Sequence, residues 1–235
     1  MIIKQWNSMG LLMDLNNITY TLDPDFHELV VQAFVKLYQD GLIYKGKKMV
    51  NWDVKLQTAI SDLEVIHRQE QRQLYYLKYY LAESSEEYLT VATTRPETAF
   101  ADVCLIVNPH DGRYTKYIGK QVINPVNQEK IPVIADEYVT IDFGTGVLKC
   151  TPAHDINDYE LGIKHKLPCP VCLDPAGFLN QLAGKYQGLD RLIGRRKLIQ
   201  ELQKTGLCLK IETYEGNLGY SQRSDTVVEP YLSTQ

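Results

Sequence analysis

The chain has 235 residues, of which 44% are hydrophobic and 23% charged, with a formal net charge of −4. Those values fit one globular domain with satellite elements and exclude a protein coated in positive potential. They leave room for an RNA partner held by a local basic patch, with candidates at 45–48, 164–166 and 191–197, although each patch alone reads as a solvated surface. No apolar run approaches membrane-spanning length and no signal-peptide pattern opens the chain. The expectation is therefore a soluble, cytoplasmic protein without a membrane partner.

Residues 1–21 carry no clear period. Asp23-Pro24-Asp25 then predicts a helix start, with Asp23 as N-cap and Pro24 at the first helical position. Phe26, Leu29, Val30, Ala33, Phe34, Leu37 and Tyr38 recur at helical spacing up to Gly41, a stripe expected to be a packing face. Residues 42–52 and 58–65 read as extended segments around a turn. From Gln73 the pattern is β: 74–81, 88–93, 103–107, 121–124, 131–134, 146–150 and 170–173 are short, rich in Val, Ile, Leu and Tyr, and separated by turn residues. Helices are predicted from near Asp155 toward Lys166 and over 190–205, the second stopped by Gly206. Residues 219–231 return to extended structure.

The fold class is thus α/β: a barrel-like, mostly antiparallel β domain with peripheral helices, flanked by a helix and β-ribbon linkers. The expected divisions are a helix and ribbon segment at 1–72, the β domain at 73–213 and a returning ribbon at 214–235. Pairing of the early ribbon (49–65) with the late one (219–231) would bring both ends to one side, as in a domain inserted into a larger host. The abrupt end at Gln235 fits a piece of a longer protein.

Five cysteines, mostly within apolar runs, suit reduced and buried thiols. Cys169-Pro170-Val171-Cys172 lacks a second pair and sits in a predicted strand, so core packing is the expected role and no metal site is assigned.

Two blocks about fifty residues apart concentrate polar chemistry: Thr93-Thr94-Arg95-Pro96-Glu97-Thr98, and the run from Gly144 to Asp158. Each follows a strand-forming segment. Lys149 and Thr151 alternate with Leu148 and Cys150 and so share one face of a strand. Asp155 and Asp158 have the spacing of N-cap and N3 positions, and ordinary capping accounts well for Asp155. Read alone, Arg95 and Glu97 are as well explained by a surface ion pair as by a site. His154, beside a cap, is expected to be a hydrogen-bonding scaffold and stays outside the catalytic set. Neither block holds a metal-ligand set or an activated nucleophile, so catalysis here would rest on positioning.

The blocks, their order and the text around them resemble the editing domain of class I aminoacyl-tRNA synthetases for branched aliphatic amino acids, in particular its valyl branch. Val50-Asn51-Trp52-Asp53, Ile131-Pro132-Val133-Ile134-Ala135-Asp136-Glu137-Tyr138-Val139, Phe143-Gly144-Thr145-Gly146 and Val227-Val228-Glu229-Pro230 carry the likeness, which covers nearly everything from Asp23 onward. Glu97 and the Lys149-x-Thr151 pairing favour the valyl branch over its isoleucyl and leucyl relatives.

The resemblance implies hydrolysis of mischarged Thr-tRNA(Val), because a hydrophobic pocket separates valine from threonine poorly and needs a second, hydrolytic site. It implies that Asp158 binds the substrate's α-ammonium, and that Lys149, Thr151 and Asp155 line a pocket for threonine's hydroxyl. Arg95 and Thr98 would form the opposite wall and place the ester and water. Thr94 and Phe143 would help to bind substrate, Phe143 by stacking on the terminal adenine. The implied partners are the 3′ end of tRNA-Val and the remainder of the synthetase, with no cofactor. The ribbons at 51–58 and 221–226 lack the cysteine pairs of some valyl enzymes, so no zinc is expected. The family's ATP-site signatures are absent, so ATP-dependent ligation is not expected of this segment. The alternatives are an isoleucyl-type editor of Val-tRNA(Ile) and a non-catalytic tRNA-positioning insertion.

Overall fold

The computed structural model describes residues 2–14, 16–142 and 144–235, which fall into two units: 1–46 with Gln235, and Lys47–Thr234. The first unit contains helices α1 (Ile2–Ser8) and α2 (Pro24–Gln39). Proline occupies the first turn of α2, where its missing N–H costs nothing, and Gly41 stops the chain at φ 73°. The apolar stripe on α2 is real but it is not a packing face in this chain: Phe26, Leu29, Val30, Phe34, Leu37 and Tyr38 are all exposed. Helical periodicity marks a face that wants a partner without saying where the partner lies.

The second unit is built on two sheets. Strands β1 (Lys47–Asp53), β2 (Thr58–Ile60) and β10 (Glu229–Thr234) form an antiparallel ribbon in the order β10-β1-β2. Val50 pairs with Tyr231 and Trp52 with Glu229, and Val65 faces Ser221 in the other sheet, so the early and late ribbons do pair. The larger sheet is a curled half-barrel of seven strands. Its members are β3 (Val65–Leu81), β4 (Tyr88–Thr93), β5 (Cys104–Val107), β6 (Gln121–Ile123), β7 (Lys130–Ala135), β8 (Val147–Cys150) and β9 (Cys208–Ser221). Six of them run in the order β4-β3-β6-β7-β5-β8, and β9 also pairs with β3. Among the described residues only the β5–β7 pair is parallel.

The 170–173 segment is not a strand, contrary to its β-like composition. Its backbone is satisfied by side chains and loops instead: Cys172 N–H donates to His154 Nε2 (2.9 Å), and Asn180 bonds the carbonyls of Val171 (2.6 Å) and Cys172 (2.9 Å).

β3 alternates Tyr75, Leu77, Tyr79 and Leu81 inward, and these pack with Leu89, Val91, Leu105, Val107, Val122 and Val133 into the main core. β5 is buried on both faces, since Cys104 and Ile106 join a second cluster with Val139, Cys150 and Leu161. Cys172 packs in the main core. Helix α3 (Ile156–Lys164) follows β8 closely, and Gly162 permits this: a Cβ there would lie 2.9 Å from Pro152 Cβ. Helix α4 (Arg191–Lys204) lies over the 3-10 turn Pro96–Ala101 that follows β4.

Candidate active site

The two polar blocks meet at the ends of β4 and β8. Arg95 leaves β4 with non-helical dihedrals (φ −131°, ψ 64°), and Pro96 then opens the 3-10 turn that carries Glu97 and Thr98. Lys149 sits on β8, Thr151 one residue beyond it, and Asp155 caps α3 from an extended conformation. The Asp155 carboxylate accepts from Asn157 N–H (2.9 Å) and Asp158 N–H (3.2 Å), which places Asp158 on the first helical turn.

Lys149 Nζ donates across the blocks to Thr98 Oγ1 (3.2 Å), and also to Asp102 Oδ1 (3.1 Å) and Thr151 Oγ1. These contacts take up all three ammonium hydrogens. The Thr151 hydroxyl donates to Asp102 Oδ1 (2.9 Å), and the Thr98 hydroxyl donates to Arg95 O (2.9 Å). Asp102 Oδ2 accepts from the Tyr79 phenol (2.6 Å). Every donor in this cluster is therefore spent internally. What the cluster offers a ligand is lone pairs, on Thr98, Thr151 and, in its ionised form, Asp158.

Electrostatics separate the carboxyls. Burial raises Asp158 to about 7 against the pull of Lys149, with Asp155 adding to the rise. Burial also raises Asp102, opposed by Lys149, Tyr79 and Thr151. Burial acts against the charge on Lys149, yet Asp102 and Asp158 together keep its ammonium above the ordinary range. A buried carboxyl held near neutrality beside a fixed cation is a candidate for a functional group.

His154 is 2% exposed, and its Nε2 lone pair is already used by Cys172 N–H. Burial, then the charges of Arg95 and Lys149, lower it to about 3. It is a neutral scaffold with no basic nitrogen facing a substrate. Cys172, pushed up to about 12 by burial, is an inert thiol.

Arg95 is not part of a surface ion pair. Its Nη1 donates to His154 O (2.8 Å), its Nη2 contacts Glu229 and its Nε reaches Glu97 Oε1 (3.5 Å). Glu97, fully buried, is held bidentately by Arg195 of α4 at 2.6 Å through Nε and 2.6 Å through Nη2. Glu229 also contacts Arg191 Nε (2.6 Å) as an ion pair without hydrogen-bond alignment. Burial works against the Arg95 charge, and Glu229 and Glu97 outweigh it, so the guanidinium is held above its ordinary value.

Arg95, Thr98, Lys149, Thr151 and Asp158 thus converge. Asp155 is half-buried at the rim and acts as the cap, and Thr94 lies half-buried in the bend before Arg95. Phe143 lies outside the described residues. Asp102, Tyr79, Glu229, Arg191 and Arg195 escaped the sequence reading. A signal for Asp102 was present, an acid set between Phe100-Ala101 and Val103-Cys104-Leu105-Ile106-Val107. The two arginines of α4 looked like surface charge. Among the described residues no group of three or more His, Cys, Asp or Glu side chains is arranged to hold a metal ion, and no helix is long and apolar enough to cross a membrane.

Sequence comparison assigns this curled, mostly antiparallel sheet and its polar cluster to a family. The chain belongs to the tRNA synthetases class I (I, L, M and V), whose family model it matches over residues 1–231. Within that family it is similar to valine–tRNA ligases. It is 58% identical to that of Mycoplasma mycoides subsp. mycoides over 234 residues, covering 100% of this chain and 27% of that protein. Identity to the Mesoplasma florum enzyme is 51% over 235 residues (100% and 27%) and to the Staphylococcus aureus RF122 enzyme 47% over 234 residues (100% and 27%). The chain spans about 27% of the length of these relatives. Among solved structures, an Agrobacterium radiobacter LeuRS in a ternary complex with tRNA and LeuAMS aligns with 84% of this chain and 33% of that one, at 20% identity and a TM-score of 0.45. The family therefore rests on the sequence matches.

Proposed function

We propose that this chain is the post-transfer editing region of a valine–tRNA ligase and hydrolyses mischarged Thr-tRNA(Val). The observation that carries the reading is the acceptor-rich cluster formed jointly by the two blocks, with Asp158 in its ionised form. Threonine esterified to tRNA brings two donors that valine cannot match as a pair, an α-ammonium and a side-chain hydroxyl. Asp158, ionised when the ammonium arrives, takes the first through a charge-assisted bond. The lone pairs of Thr151 and Thr98, oriented by Lys149, take the second, with Asp155 and Thr94 at the rim. A valyl group would bury those lone pairs unanswered, and a site built for hydrogen bonding rejects the analogue that lacks the bond.

Arg95, clamped by Glu229 and His154 O, would place the ester. Water, positioned by the pocket hydroxyls and the terminal ribose, attacks the ester carbonyl carbon; the bond to the ribose oxygen breaks and the amino acid leaves. Aminoacyl esters are labile enough that an activated nucleophile is not required. Phe143 keeps its proposed role against the terminal adenine. The partners are the 3′ end of tRNA-Val and the rest of the synthetase, in the cytoplasm. The boundaries of the editing domain are proposed at 73–213, between linker segments at 1–72 and 214–235.

Single-turnover deacylation of Thr-tRNA(Val) and Val-tRNA(Ile) by the intact protein tests the reading. Threonine release with valine retained is expected. Valine release with threonine ignored would instead identify an isoleucyl-type editor, and tRNA binding without hydrolysis above buffer would identify a positioning insertion.

A further inference from the structure

We propose that Tyr79 is a positioning residue of this centre: its phenol fixes the Asp102 carboxylate so that Thr151 and Lys149 keep their hydrogens turned away from the ligand. The inference rests on the editing reading above and adds to it a residue outside both polar blocks.

Tyr79 lies on the inward face of β3 between Leu77 and Leu81 and is fully buried. Phenylalanine would supply the same packing, so the hydroxyl needs its own account. It donates to Asp102 Oδ2 at 2.6 Å, where no other donor reaches that oxygen among the described residues. Oδ1 meanwhile accepts from Lys149 Nζ (3.1 Å) and Thr151 Oγ1 (2.9 Å). A carboxylate held at both oxygens cannot rotate. Its orientation commits the Thr151 proton to Asp102 and leaves only a lone pair facing the site.

The titratable and charged groups around Asp102 are Tyr79 from β3, Lys149 from β8, Asp158 from α3 and Cys172 from the 170–173 segment. Burial already favours the protonated form of Asp102, and Tyr79 is one of the few groups opposing it. Without the phenol hydroxyl, Asp102 takes up a proton more readily. Protonated and no longer held at Oδ2, the Asp102 carboxyl is free to rotate and is a weaker acceptor at Oδ1, so the Thr151 hydroxyl is released to turn toward the ligand as a donor. The centre loses rate and loses its preference for a hydroxyl-bearing aminoacyl group together.

The test is Tyr79→Phe in the intact protein, read by single-turnover deacylation of Thr-tRNA(Val) and Val-tRNA(Val) from pH 5.5 to 8.5, beside thermal unfolding. Expected are a roughly tenfold slower threonine reaction, an acid limb that gains a second ionisation as Asp102 takes up its proton at higher pH than in the wild type, and a narrowed threonine-to-valine ratio, as fits loss of a bond to a charged group. A variant with lowered Tm but the wild-type pH profile and ratio would overturn the inference and leave Tyr79 as core packing. Should Tyr79→Phe fail to fold, 3-fluorotyrosine at position 79 decides: the more acidic phenol is the stronger donor and should move the acid limb to lower pH, and an unmoved limb refutes the role. A wild-type protein that hydrolyses neither ester would overturn the editing reading itself, a result distinct from both.

Discussion

The backbone N–H of Thr151 donates to Asp158 Oδ2 at 2.8 Å, fastening the end of β8 to the first turn of α3. One carboxylate oxygen is thereby fixed by the fold, and in the proposed function the other receives the ligand's ammonium. This single bond keeps the carboxylate in place while leaving most of its desolvation cost uncompensated, which is why the group sits near neutrality.

Asp158→Asn is expected to stabilise the protein above neutral pH while abolishing deacylation. The folded carboxyl titrates at about 7 against an ordinary 3.8. Below the ordinary value both states are protonated and nothing is lost. Stability then falls as pH rises, and the loss is complete above about 7, on the order of 4 kcal/mol. Asparagine retains an acceptor for Thr151 N–H and carries no charge. Denaturant unfolding at pH 4 and pH 8 checks this: the variant should gain at pH 8 only, and an equal effect at both would count against an uncompensated carboxylate.

His154 gives the opposite slope. Its folded value of about 3 lies below the ordinary 6.5, so the neutral ring contributes stability above 6.5 that is lost as pH falls toward 3. Over that window the unfolded chain binds a proton the native state refuses, at about 1.4 kcal/mol per pH unit. His154→Gln keeps an acceptor for Cys172 N–H and removes the titration. Unfolding free energies at pH 6.5 and 4.5 should then diverge between wild type and variant by about 2 kcal/mol.

What the sequence showed of the fold follows the same physics. Residues 88–93 match β4 because a half-buried strand must alternate, and Asp155 was readable as a cap because a helix start needs a side-chain acceptor. β3 begins at Val65, well before the expected 74, because its first half forms a two-stranded ribbon with β9 that exposes both faces. His67, Arg68, Gln69, Gln71 and Gln73 have no apolar core to face and so no alternation to betray the strand. At the site, the sequence showed the residues that share a block and missed those that arrive from elsewhere. Tyr79 looked like any inward aromatic, and Arg195 like a solvated helix charge, because their partners lie 23 and 98 positions away.

Glu97 and Arg195 should be energetically coupled. Replacing Glu97 by Met alone leaves a guanidinium with 22% side-chain exposure unpaired beside Arg95, a loss of about 3–5 kcal/mol. Arg195→Met alone leaves a fully buried carboxylate facing only the weaker Arg95 contact, at a similar cost. The double variant removes both charges and should be far less damaged than the sum. A double-mutant cycle read by denaturant unfolding measures the difference, and additive losses would show that the bidentate contact contributes little.

Gly146 and Gly144 stand two residues apart before β8 and should respond differently to alanine. Both have positive φ, 76° and 59°, so each substitution carries the left-handed penalty of about 1 kcal/mol. At Gly144 a Cβ meets nothing within 4 Å. At Gly146 it would lie 2.6 Å from Arg113 Nη2 and 3.1 Å from Asp111 Oδ2, the two ends of a short ion pair, and 3.1 Å from Tyr114 Cε2. Arg113 also bonds Ile141 O at 2.6 Å, so its displacement loosens the segment leading to Lys149. Gly146→Ala should therefore cost about 1–3 kcal/mol more than Gly144→Ala and slow deacylation as well. Equal losses in the two variants, measured by thermal unfolding under identical conditions, would mean that the Arg113 side chain swings aside without cost and that the turn is not held where the site needs it.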